Sequence, residues 1–442
     1  MSENQETSTG NPVSADTAVE THPPGDIERR TKAWLASGNP EDLWPSIDVA
    51  RLPVASAAIE EATREVLAGH STSLGRADGA DANEIAIAAL PSGVGPFLGW
   101  HVEKGMIDVS TPLAHLLARH LEHGRKRIDR ITKHGLPALA ALRSGGLDPC
   151  VIKGFHAAHV YFPEPGLRPF ADIDLVIRPA DIPHAEEILS SLGFVGDSMI
   201  DVPYKRSWSA PGEDGRTWSL EFWHERSHWK IELHDRINFE DLFRYGVSLD
   251  APEFQNGLWR LADVPMRVPT QPLLFAILAT HLSVELFERR LIRIVELVRM
   301  IRHDIDTRAL DWAEAEELLD RLRAKRFAYP ALALAERLAP GTVDGALLSR
   351  SRRAATRLTR HVVDRITPAL PLLADRVSLA HRLMWVSSPR EAMRRVGLMV
   401  GPVRSAPLPV TIRTYRSRVR RLLGGRVSWK MPGPPPDDHA SD

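Results

Sequence analysis

Val151-Ile152-Lys153-Gly154-Phe155 and, a short way on, Gly166-Leu167-Arg168-Pro169-Phe170-Ala171-Asp172-Ile173-Asp174-Leu175-Val176-Ile177 are the stretches whose reading decides the fold. Pro149-Cys150-Val151-Ile152 is a short apolar run, and Ile173 to Ile177 is strongly β-prone. A strand alternates its faces with period two. Asp172 and Asp174 therefore point to one side while Ile173 and Leu175 point into a core. Two like charges side by side on a strand repel by up to about 1 kcal/mol. A bound divalent cation removes that penalty, and oxygen donors at this spacing suit Mg2+. An Asp-x-Asp pair alone is also common on solvated strand edges, where both carboxylates face water. This one follows Lys153-Gly154 and Gly166-Leu167-Arg168-Pro169, which sets it apart. Gly154 permits close backbone approach to a phosphate, and Lys153 supplies compensating charge.

Working outward, Ile182 to Leu192 has the pattern of an amphipathic helix closed by Gly193. Trp218 to Trp223 and Trp229 to Leu233 read as two strands of a hairpin about Glu225-Arg226-Ser227. The second carries Ile231-Glu232-Leu233, a third carboxylate with the same apolar flanks, and His234 follows on the same face. Three carboxylates on adjacent strands are what a two-metal phosphoryl-transfer site requires. Residues 145–250 form the only mixed α/β region. Before it, 26–144 is helical, with Leu113 to Leu142 reading as two helices and Pro137 opening the second. After it, 265–345 is helical: Leu273 to His281, Phe287 to Ile301 and Trp312 to Leu322.

Lys153-Gly154, Tyr161, Pro165-Gly166-Leu167-Arg168-Pro169 and Asp172-Ile173-Asp174-Leu175-Val176 resemble the uncharacterised nucleotidyltransferase family of the DNA polymerase β-like superfamily. Arg178-Pro179-Ala180-Asp181 leading to Leu192-Gly193-Phe194, the Ile231-Glu232-Leu233-His234 strand, and His281 with the Leu291 to Ile301 helix continue the likeness over roughly residues 110–340. The resemblance implies an α+β fold: a polymerase β-like core, a small mixed sheet with helices, flanked by N- and C-terminal helical regions. It implies transfer of a nucleoside monophosphate from a nucleoside triphosphate to a hydroxyl of a small molecule, peptide or protein, releasing pyrophosphate. Two Mg2+ ions are implied, with Asp172, Asp174 and Glu232 as metal-binding catalytic carboxylates. Lys153 and Gly154 would cradle phosphate, Arg168 would neutralise phosphate oxygens, and His234 would orient Glu232 or touch substrate.

One position departs from the pattern. The superfamily usually has a small residue after the glycine, and here it is Phe155. A ring there would narrow the phosphate seat, and leaves open an inactive nucleotide- or ligand-binding accessory protein of a biosynthetic pathway. His156 and His159 have an i, i+3 metal-ligand spacing, although a place on the helix beside the site accounts for them better. Glu296 reads as a solvated or paired acid and His281 as a packing histidine. The tryptophans at 208, 218, 223 and 229 read as packing, with base stacking the alternative. Cys150 reads as a small buried hydrophobe.

The 442 residues are 43% hydrophobic and 26% charged, ordinary for a globular chain, and the lone cysteine excludes an internal disulfide framework and a four-thiolate zinc site. No apolar run approaches the ~20 residues that cross a bilayer, and no signal-peptide core is seen, so a cytoplasmic protein without membrane contact is expected. Residues 1–25 and 426–442 have the composition of disordered tails. The net charge of −1 conceals an arginine-rich helical region, 346–425. Between 350 and 421 it holds 17 arginines against three acids. Those arginines fit either a nucleic-acid or other anionic partner, or helix faces that pair with acids elsewhere in the chain. No interleaved aromatic platform favours nucleic acid.

Overall fold

The computed structural model describes residues 25–75, 81–197, 204–213, 216–238, 246–252, 254, 256–287, 290–369, 384–386 and 388–393. Residues 1–24 and 394–442, and with them the arginines from 394 to 421, lie outside the described residues, as do Arg376 and Arg382.

The apolar run at 150 and the β-prone run at 172 form neighbouring antiparallel strands, β1 (Cys150–Ile152) and β2 (Asp172–Val176). Five further strands complete the sheet: β3 (Val195–Gly196), β4 (Lys205–Ser209), β5 (Lys230–His234), β6 (Asn256–Leu261) and β7 (Val264–Pro269). Their order is β6-β7-β1-β2-β5-β4-β3. The β2–β5 pair is parallel, as is the single pair joining β7 to β1, and the others are antiparallel. The fold is α+β.

Alternation assigns the two faces of the sheet. Val151, Ile173, Leu175, Ile231 and Leu233 are all buried against Ile131, Leu139 and Leu142 of the helix α1 (Thr111–Ser144) and Leu189 of α3 (Ile182–Ser191), with α2 (Gly154–Tyr161) following β1. Full burial of each such aliphatic side chain is worth ~1.5–3 kcal/mol, so this layer holds the strands in register. Gly135 is where α1 crosses β2: a Cβ there would stand 2.5 Å from Ile173 Cδ1. The second core joins the N-terminal helices Leu52–Leu67, Ala82–Ser92 and Gly95–Glu103 to α4 (Gln271–Val284), α5 (Leu291–Asp306) and the helices after them. Among the described residues, no helix is long and apolar enough to cross a membrane.

Four readings change. The partner of β5 is β4, not Trp218 to Trp223, which forms no strand. Strand β4 reads Lys-Arg-Ser-Trp-Ser: Lys205 and Ser207 face the site and Glu232, while Arg206 and Trp208 take the opposite face, so it lacks the apolar alternation of a core strand. The 218–223 segment spends its apolar side chains on packing: Leu220 is buried, and its carbonyl accepts from Trp44 Nε1 at 3.0 Å. The mixed region extends beyond residue 250, since β6 and β7 add to the sheet. The 113–142 stretch is one continuous helix with Pro137 inside it; the lost backbone bond is tolerated because Ala138, Leu139 and Leu142 beyond it are buried. Finally, the helix expected from Phe287 begins at Leu291.

Candidate active site

The parallel register of β2 and β5 sets Asp174 beside Glu232, Asp172 beside Lys230 and Val176 beside His234. On the other side of β5, Ser207 of β4 stands beside Glu232 and Lys205 beside His234. One face of the sheet thus carries acids, lysines and a histidine in adjacent rows. Asp174, Glu232 and His234 are all buried, and their ligand atoms lie within 4.8 Å of one another.

Hydrogen bonds join these groups. His234 Nε2 donates to Asp174 Oδ1 at 2.8 Å, and Lys153 Nζ donates to the same oxygen at 3.1 Å. Lys205 Nζ donates to Glu232 Oε2 at 2.7 Å, and Lys230 Nζ lies 2.5 Å from Glu232 Oε1. Asp172, by contrast, has no hydrogen-bond or ion-pair partner among the described residues. Burial, with the charges of Asp174 and Glu232 alongside, pushes its carboxyl up to about 6. Burial acts on Asp174 in the same direction, but Lys153 and His234 outweigh it and hold that carboxyl well below the usual range. Glu232 is likewise buried yet held low, by His234, Lys205 and Lys230. Burial disfavours the Lys153 ammonium, but Asp174, Asp172 and Glu232 more than offset it and its pKa rises.

Lys153 joins β1 to α2 with φ 58° and ψ −132°, a left-handed junction that a side chain rarely adopts. The turn aims its ammonium across the sheet at Asp174. Gly154 follows because there is no room for a side chain: a Cβ would stand 2.7 Å from Arg168 Nη1 and 3.2 Å from Phe170 Cβ. Arg168 is itself buried, donating to Glu296 Oε2 at 2.8 Å and to the Pro169 carbonyl at 3.0 Å. The structure therefore brings Asp172, Asp174, Glu232, His234 and Lys153 together, and places Arg168 behind Gly154 in a buried ion pair with α5. His234 reaches Asp174 more closely than Glu232, from which it lies 3.7 Å.

Phe155 does not narrow this seat. Its ring is fully buried, edge-on to Phe170 and Trp259 with centroids 5.9 Å away in each case. His156 is buried beside Trp259, and burial pushes its pKa down to about 3; His159 Nδ1 meets the Phe155 carbonyl at 2.8 Å. Neither joins a metal-competent cluster among the described residues. Cys150 is buried, with its thiol pKa raised by burial. Trp223 lies between the guanidiniums of Arg127 and Arg290, 5.5 and 4.8 Å from its ring. His281 accepts from Arg293 at 2.7 Å, and burial, with Lys153 and Arg293 contributing, lowers its pKa to about 3.

Sequence reasoning missed Lys205, Lys230 and Arg127. Lys230 was within reach, being two residues before Glu232 on the same strand face. Lys205 was not, because its place depends on the β4–β5 pairing. Arg127 lies in α1, buried, and donates to the carbonyls of Phe170, Ser227 and His228. It thereby clamps the chain entering β2 to the chain entering β5. In the arginine-rich region, Arg350 pairs with Glu316 and Arg352 with Asp364, so these two serve the chain's own acids.

No curated protein matches this sequence. The solution structure of the antibiotic-resistance factor ANT(2'')-Ia is similar at 16% identity and a TM-score of 0.30, over 46% of this chain and 94% of that one. The family described as an uncharacterised nucleotidyltransferase matches residues 78–340, more than half of the chain. The segment it spans contains β1, β2 and β5 with every acid, lysine and histidine of the site. The chain belongs to that nucleotidyltransferase family.

Proposed function

We propose that this protein is a Mg2+-dependent nucleotidyltransferase that moves a nucleoside monophosphate from a nucleoside triphosphate to a hydroxyl of a small molecule, peptide or protein. The observation that carries this reading is the β2–β5 register, which sets Glu232 beside Asp174 with Asp172 on the same face. The acceptor oxygen bonds to the α-phosphorus, and the bond from that phosphorus to the β-bridging oxygen breaks. Its electron pair leaves with pyrophosphate, and the hydroxyl proton passes to Glu232 or to water.

The donor set fits a hard divalent cation: two carboxylates on one strand, one of them with no internal partner. Asp172 and Asp174 would hold it, and Mg2+ when bound supplies charge neutralisation at the phosphate oxygens. The chain's own residues supply the rest. His234 fixes the orientation of Asp174, Lys153 brings positive charge to the phosphate side, and Arg168 with Gly154 sets the β1–α2 turn. Few other groups are needed, since phosphoryl transfer is accelerated mainly by positioning and charge neutralisation. A cytoplasmic protein without nucleic-acid or membrane contact is part of the same reading.

The test is pyrophosphate release from each nucleoside triphosphate in the presence of hydroxyl acceptors. Asp174→Asn should remain folded and lose release; full retained activity would sink the assignment. The inactive accessory alternative predicts nucleotide binding without pyrophosphate, and the buried Phe155 ring lends it no support.

A further inference from the structure

The two sides of the site are not equivalent. Asp172 has no hydrogen-bond or ion-pair partner among the described residues and feels Lys153 and Arg293 only through their charge, whereas both oxygens of Glu232 are engaged. Oε1 meets Lys230 at 2.5 Å and Ser207 at 3.4 Å; Oε2 meets Lys205 at 2.7 Å and His234 at 3.7 Å. A cation ligated by Glu232 would have to displace an ammonium from a side chain that is only 4% exposed. The lysines are themselves about a quarter exposed, at 23% and 27%, so their aliphatic stems reach inward from the rim.

The choice of residue is informative. The chain has nine lysines against 47 arginines, yet three of the nine, Lys153, Lys205 and Lys230, converge on Asp174 and Glu232. A guanidinium is planar and broad, whereas an ammonium is a compact point charge with three rotatable donors, closer in size and charge distribution to a small cation. In a chain that otherwise supplies its positive charge with arginine, lysine stands where a small cation would stand.

We propose that Lys205 and Lys230 take the place of a second metal ion on Glu232, so that the site works with one divalent cation, held by Asp172 and Asp174 with the triphosphate. This inference rests on the nucleotidyltransferase reading and replaces the two-ion expectation that came with the family resemblance. It makes the acceptor side of the site a hydrogen-bonding, ammonium-lined surface rather than a metal-lined one.

The ion count tests it directly. Mn2+ is titrated into the full chain saturated with a non-hydrolysable nucleoside α,β-methylene triphosphate, for each base in turn, and bound ions are counted by electron paramagnetic resonance and calorimetry. The wild-type protein should hold one Mn2+ per chain, and Lys205→Met/Lys230→Met should hold two. Two ions in the wild type would mean that the lysines yield to metal, overturning this proposal while leaving the transferase reading intact. One ion in both proteins would also overturn it. If no analogue binds with Mn2+, the transferase reading itself fails and the proposal with it. Should the double variant not fold, the wild-type count together with Lys205→Met alone still decides.

Discussion

Arg168 Nη2 donates to Glu296 Oε2 at 2.8 Å with both side chains buried, and this pair ties the loop before β2 to helix α5. A buried pair is costly to break from one side, because the survivor is left as an unpaired charge. Arg168→Met or Glu296→Gln alone should therefore lose ~3–5 kcal/mol of stability in denaturant unfolding. The double change Arg168→Met/Glu296→Leu should cost clearly less than the sum of the two. Strict additivity would show that the pair is not coupled.

Gly154 is the floor on which that arginine rests. Gly154→Ala puts a Cβ 2.7 Å from Arg168 Nη1, and overpacking of this kind costs ~1–3 kcal/mol. Thermal unfolding measures the loss. In the Arg168→Met background the penalty should shrink, since the more flexible, uncharged side chain yields; an equal penalty in both backgrounds would refute the contact as its cause.

Arg127 acts through the carbonyls it clamps. Arg127→Met leaves the carbonyls of Phe170 and His228 without this donor, while Ser227 keeps Arg130 Nη2 at 2.8 Å, and buried unsatisfied groups cost ~1–3 kcal/mol each. The variant should be less stable, and amide exchange in β2 and β5 should rise first, because the clamp sits where both strands begin. Uniform exchange across the sheet would contradict that role.

The pH dependence follows from Asp172. Its carboxyl titrates near 6 in the fold, above its ordinary value near 4. A raised acid contributes stability that is fully present below the unfolded value and is lost as pH rises through the folded one. The metal-free protein should thus lose this contribution between about pH 4 and pH 6. Divalent cations bind the ionised form, so the rise in melting temperature with Mn2+ should be larger at pH 7.5 than at pH 5. Asp172→Asn should abolish that difference; a difference that persists in the variant would place its origin elsewhere.

Much of the site was legible from local pattern. Period-two alternation put Asp172 and Asp174 on one face, and the Ile-Glu-Leu-His run put Glu232 and His234 on another strand of the same type. The Ile182 helix was legible because its apolar spacing is that of a half-buried helix. Strand β4 was not, because a strand facing a polar site lacks the apolar alternation that marks one facing a core. The 218–223 segment misled for the converse reason: its large apolar side chains serve packing and cation contacts in a loop.

The sequence by itself determined the chemistry on offer: an acid pair, a third acid, a glycine and a lysine, in an order that resembles one enzyme family. Local alternation suffices for that, since it acts over a few residues. Only the tertiary structure decided which groups meet. The parallel pairing of β2 with β5 set Asp174 beside Glu232. The pairing of β5 with β4 delivered Lys205, and the packing of helix α5 set Glu296 against Arg168 in a buried ion pair. Contacts between residues tens of positions apart depend on how whole strands register and how helices cover them, and no short-range pattern encodes that.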